Sequence, residues 1–201
     1  MYGLPQTTEI KKQLPKKAIF AKFNMPASQR ESFDADISRI DIVAVVSPST
    51  VPTVAPGENI KEFYVLAVQL KHKDYDAKNI AMLSRLIPQK MVIALHFQED
   101  VQFAISHTKL ITSKWQFLTP NSSFLTLNGL NLDTVWDNIV ISIGDIQVEQ
   151  GKSVAEQISA DNQRAKILAQ IAVLERKMAI EKQPRRKREY FEQIKKMKNI
   201  Q

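Results

Sequence analysis

The sequence predicts an α+β domain, a mixed β-sheet flanked by helices, followed by a C-terminal helical, coiled-coil-like arm. Three observations carry this. IDIVAVV (40–46) and KEFYVLAVQLK (61–71) are nearly unbroken apolar runs rich in β-branched residues, the pattern of strands covered on both faces. KMVIALHFQED and VQFAISHTKLI adjoin tightly at Glu99 and Asp100, as in an antiparallel hairpin. From 153 to 183 neither Gly nor Pro interrupts a stretch dominated by Ala, Glu, Gln, Lys, Arg and Leu, which predicts one long helix.

The 201 residues suffice for one domain and an appendage, so the expected division is a body over 1–150 and an arm over 151–201. With 44% hydrophobic and 24% charged residues, the body can bury an ordinary core. Cysteine is absent, which excludes disulfides, thiolate metal sites and cysteine nucleophiles. The N-terminus is punctuated by prolines and lysines where a signal peptide needs an apolar run, so a cytoplasmic location and no membrane partner are expected.

Taken in order, KKAIFAKF (16–23) alternates apolar and polar residues and predicts a short strand. After Pro26, Phe33, Ile37 and Ile40 recur at helical spacing and predict an amphipathic helix. SPSTVPTVAPGEN predicts a long, stiff loop between the two buried strands. Asp76 suits the N-cap of a helix over 76–87, with Ile80, Leu83 and Ile87 on one stripe. NSSFLTL predicts one more strand, and Leu132, Val135, Trp136 and Ile139 a helix ending at Gly144. The sheet should hold about five or six strands.

In the arm, Ile167, Ile171, Leu174 and Met178 form a narrow apolar seam. Pro184 starts a second helix whose Tyr190, Ile194 and Met197 match it, so the two helices are expected to fold back as a hairpin or to pair with a second copy of the chain. Charge sharpens this division. Residues 152–201 carry thirteen Lys and Arg against six Asp and Glu, which equals the whole-chain net charge of +7 and leaves the body neutral. The densest cluster lies at the bend: Lys182, Arg185, Arg186, Lys187 and Arg188, with Lys195 and Lys196 beyond. Such a cluster suits phosphate contact, since each cation near a nucleic-acid backbone displaces condensed counterions. It also suits an acidic protein surface or plain solvation.

A second constellation joins Asp41 to Gln69 and Lys71. Nucleases of the restriction-endonuclease fold hold a hard cation with an aspartate and a Glu or Gln two residues before a lysine on neighbouring strands. That makes a metal-dependent nuclease the enzymatic alternative, although a strand leaving the core through polar residues fits as well. His72, His96 and His107 lie on or beside strands with no metal-ligand spacing, and structural or surface roles are expected for them. Glycine-rich phosphate loops and nucleophile elbows are missing. No cofactor and no metal are expected.

Five blocks in order, TEIKKQLPKKAIF, FDADISRIDIVAVVSPSTVP, IKEFYVLAVQLKHKDYD, LSRLIPQKMVIAL and NGLNLDTVWDNIV, resemble the bacterial domain-of-unknown-function family numbered 4391. The resemblance implies neighbours of restriction or phage-defence type, helicases and DNA methyltransferases, and assigns no activity to any residue. Where the family pattern has Glu-x-Lys this chain has QLK, and where it has Ile-Asp-Lys before Ile-Pro the chain has LSRLIP, which weakens a metal site. The expectation is therefore an accessory protein docking on a larger DNA-processing partner, a helicase or a methyltransferase, with its basic arm touching nucleic acid or that partner. A structural homodimer through the arm is the other non-enzymatic reading.

Overall fold

The computed structural model describes residues 1–107, 109–119 and 122–198. It divides into two compact units, 1–147 and 148–201. Among the described residues no helix is long and apolar enough to cross a membrane.

The first unit holds a seven-stranded mixed sheet: β1 (Glu9–Gln13), β2 (Ile37–Val46), β3 (Phe63–Leu70), β4 (Lys90–Phe97), β5 (Asp100–Ser106), β6 (Leu110–Thr112) and β7 (Gln116–Phe117). Strands one to six lie in chain order, with β7 also on β5, and β3–β4 is parallel while the other pairs are antiparallel. The parallel step needs a crossover, which the segment containing α3 (Ala77–Leu83) supplies.

Both faces of the sheet are covered, as the unbroken apolar runs predict. On one face Ile40, Leu66, Ile93 and Leu95 pack with Ile19 of α1 (Lys16–Lys22), Phe33 of α2 (Ala27–Asp36), and Ile80 and Leu83 of α3. On the other, Phe63 meets Trp136 of α4 (Leu132–Gly144) at 5.5 Å between ring centroids, and Tyr2 meets Phe103 edge-on at 5.4 Å.

Several elements differ from the sequence reading. KKAIFAKF is a helix, α1, because Pro15 caps it in an extended conformation and Ile19 is buried while Phe20 meets Phe33 at 5.6 Å. The helix expected through Ile40 stops at Asp36, and Ile37 and Ile40 are strand residues whose helical spacing reflects two elements fused in sequence. The VQFAISHTKLI run breaks after Ser106 into β5 and β6, with the His107 N–H donating to the Lys109 carbonyl at 3.0 Å. Residues 122–127 are not a strand. The N–H groups of Phe124 and Leu125 both reach the Tyr2 carbonyl, which leaves no ladder to extend; Asn121 of that run lies outside the described residues. β1 was not foreseen, since EIKKQ has one half-buried residue among exposed ones.

The Asp76 cap forms as expected, its carboxylate accepting from the Lys78 N–H at 2.9 Å, but α3 ends at Leu83 instead of Ile87. At the first turn of α4, Asp133 accepts from the N–H groups of Glu58 (2.8 Å), Asn59 (3.1 Å) and Ile60 (2.8 Å). Gly57 allows this approach, because a Cβ there would lie 2.4 Å from the carboxylate. Desolvation pushes the Asp133 pKa up, but the backbone donors outweigh it and hold it below the usual value. A carboxyl depressed in the folded state stabilises above its unfolded pKa, and that contribution is lost as pH falls through the folded value. Asp133→Asn should therefore flatten the acid side of the stability profile measured by urea unfolding, while Asp133 retained keeps it steep.

Candidate nucleic-acid interface

The second unit is built from α5 (Val154–Ile180) and α6 (Pro184–Lys198). Gly151, at φ +86°, turns the chain into α5, and Ser153 opens the helix with a reciprocal capping box. The Ser153 hydroxyl accepts from the Glu156 N–H at 3.3 Å, and the Glu156 carboxylate accepts from the Ser153 N–H at 2.8 Å. That backbone donor holds the Glu156 carboxyl below its usual range. The far end stops at Ile180, three residues before the expected Gln183. Glu181 turns extended, and the residue ahead of a proline is disfavoured in helical conformation. Pro184 then occupies the first position of α6, where no N–H is needed.

The two helices pack as a hairpin within the chain. Of the seam residues, Ile171 and Ile194 are 4% and 5% exposed, while Ile167, Leu174, Met178 and Tyr190 are half-buried. Lys198 pairs with Glu175 across the hairpin at 3.2 Å. A shallow apolar groove of about 350 Å³ runs along one side, lined by Ala169, Gln170, Val173, Leu174, Gln193 and Met197.

With the apolar stripe turned inward, the cations are turned out. Lys182, Arg185, Arg186, Lys187, Arg188, Lys195 and Lys196 are all exposed. Arg185 lies 3.5 Å from Glu189 with its side chain 94% exposed, and among the described residues none of the other six makes an ion pair. An exposed guanidinium or ammonium that makes no ion pair is available to a polyanion at little desolvation cost.

The nuclease candidates fall otherwise. Asp41 and Gln69 project from the same face of neighbouring strands, Arg39 pairing with Gln69 and Asp41 with Ala67 in register. The Asp41 carboxylate is, however, held bidentately by Arg39 at 2.7 and 2.9 Å. Gln69 donates to the His96 carbonyl at 3.4 Å, and the Lys71 ammonium donates to the Asp34 carbonyl at the end of α2. Asp41 therefore has its charge offset by a guanidinium, and Lys71 is directed to a backbone oxygen. Among the described residues no group of three or more His, Cys, Asp or Glu is placed to hold a metal ion.

The histidines serve the body. His72 lies 3.5 Å from the buried Asp36. His96 Nε2 shares a 2.5 Å hydrogen bond with the Tyr2 hydroxyl; burial lowers the imidazole pKa and raises that of the phenol, so both are neutral. One grouping escaped sequence reasoning. Phe63 pairs with Lys90, and Val92 with Ile105, which puts Lys90 and His107 level at one end of the sheet, beneath the α4 residues Trp136 and Asp137. Burial, aided by Lys90, lowers the His107 pKa against the pull of Asp137, whose own carboxyl burial and Asp133 push up. Only the strand register reveals this grouping, since 17 positions separate Lys90 from His107 and 30 more lead to Asp137. No ring hydrogen bond orients His107 among the described residues, its Nδ1 being buried without a partner.

Comparison with known proteins adds one finding. The family model described as Domain of unknown function (DUF4391) matches residues 2–200. No curated protein and no solved structure matches the chain.

Proposed function

The chain belongs to the DUF4391 family over essentially its whole length, and from that premise we propose that it is a non-enzymatic accessory protein whose helical hairpin binds nucleic acid within a larger DNA-processing assembly. One observation carries this reading. The hairpin buries its apolar seam in itself and leaves seven cations of the bend and second helix exposed, six of them without an ion pair among the described residues. The helicase and methyltransferase neighbours implied by the family resemblance supply the kind of assembly, with the neutral body as the docking part.

Titration of labelled DNA with the full chain at several salt concentrations tests the reading. Each engaged cation contributes about 0.9 to the slope of log affinity against log salt on duplex and about 0.7 on single strands. Replacing Arg185, Arg186, Lys187 and Arg188 together by glutamine should therefore reduce the slope by about 3.6 on duplex and about 2.8 on single strands. It should also lower affinity by orders of magnitude at low salt while leaving helicity intact. Equal affinity of wild type and variant, or binding that ignores salt, removes the proposal.

A further inference from the structure

Phe191 is 54% exposed in the middle of α6, an unusual place for a ring on a helix that already has a stripe to bury. Single exposed apolar side chains are ordinary on protein surfaces, so exposure alone means nothing. Its neighbours give it meaning. Residues three or four apart share a helix face, and those around Phe191 are the buried Ile194 (three after) and the cations Lys187 (four before), Arg188 (three before) and Lys195 (four after), which are exposed and make no ion pair among the described residues. The inward stripe of Tyr190, Ile194 and Met197 lies to one side, so the ring is not part of the hairpin seam. Met1, Phe117, Leu130, Leu168, Val173 and Ile180 are the other exposed large apolar side chains among the described residues, and Phe191 alone of them lies amid three cations on one helix face.

We infer that this face binds single-stranded nucleic acid, with Phe191 as a stacking platform for a base and Lys187, Arg188 and Lys195 as contacts to the flanking phosphates. A ring among cations gains nothing from a duplex backbone, whose bases are already stacked. An unpaired strand offers both a π-face for the ring and charges for the cations. Heparin or an acidic protein offers the charges without the bases. The inference rests on the proposed nucleic-acid role and narrows it to unpaired strands.

The test uses the full chain against three labelled probes: a thymidine oligonucleotide of about 16 nucleotides, matched to one binding site, a blunt duplex of the same length, and heparin. Phe191→Ala should weaken single-strand binding about tenfold and leave duplex and heparin unchanged, whereas Phe191→Trp should retain affinity with tryptophan emission quenched by the bases. Exposure of the ring makes misfolding a poor explanation, and unchanged far-UV circular dichroism verifies that. If Phe191→Ala weakens all three probes equally, or none, the stacking inference is overturned while the cation reading stands. If the wild-type chain binds none of the three, both fall.

Discussion

Replacing Ile171 and Ile194 together by alanine should open the hairpin and weaken nucleic-acid binding, although every charge is retained. These are the two most buried positions of the α5–α6 seam, at 4% and 5% exposure. Truncating a buried isoleucine to alanine costs about 2–5 kcal/mol, and the two, lying in one seam, need not add. α6 has 15 residues, a length at which an isolated helix is marginal in water, so losing the seam removes what keeps it helical. Far-UV circular dichroism should show lost helicity, limited proteolysis should cut near 181–183, and affinity for the single-stranded probe should fall by about tenfold or more, as ordered phosphate contacts are replaced by a flexible basic tail. A variant with lost helicity and unchanged affinity would show that charge alone suffices. The four-glutamine variant at the bend supplies the complement, since it should keep the helices and lose the binding.

The seam was legible in the sequence because its apolar spacings of four, three and four fall in a stretch free of Gly and Pro, and so was the bend, because proline is disfavoured inside a helix and suits its first position. The covered strands were legible too, since β2, β3 and β4 are continuous apolar runs. What failed were places where two elements abut without a breaker. Phe33, Ile37 and Ile40 hold helical spacing, yet the chain switches from α2 to β2 between Asp36 and Ile37. No glycine or proline marks the switch; a buried carboxylate binding a distant loop does. KKAIFAKF alternates over so few residues that strand and helix patterns coincide, and the extended Pro15 cap, the burial of Ile19 and the contact of Phe20 with Phe33 decide between them. The Lys90, His107 and Asp137 grouping depends on strand register, and Asp41 meets Arg39 only because residues two apart on a strand share a face. In the arm the charge pattern was visible in the sequence, but the exposure of Phe191 was not. Its distinction from Tyr190, one residue away, depends on which way the second helix turns against the first.

Asp36→Ala should destabilise the first unit by about 2–4 kcal/mol, more than any surface substitution there. The side chain is buried, and three elements converge on it. Its carboxylate accepts from the Asn79 side-chain amide at 2.7 Å and from the Asp76 N–H at 2.9 Å, and it lies 3.5 Å from the His72 ring, while its carbonyl accepts from the Lys71 N–H at 2.8 Å. It thus ties the end of α2 to the start of α3 and to the exit of β3. Alanine leaves the backbone bond to Lys71 and the 3.3 Å bond from the Asn79 amide to the Ser32 hydroxyl, but removes the carboxylate acceptor from that amide, itself 6% exposed, and from the Asp76 N–H. Urea unfolding followed by far-UV circular dichroism measures the loss directly. Asn79→Ala removes one of the same bonds, so the double variant should cost less than the sum of the singles, by about 1 kcal/mol or more. Strict additivity would mean that the two groups do not share a bond. The hairpin variants provide the control: Asp36→Ala should leave the helicity and proteolytic resistance of 154–198 intact, because the carboxylate and all its hydrogen-bond partners lie within the first unit.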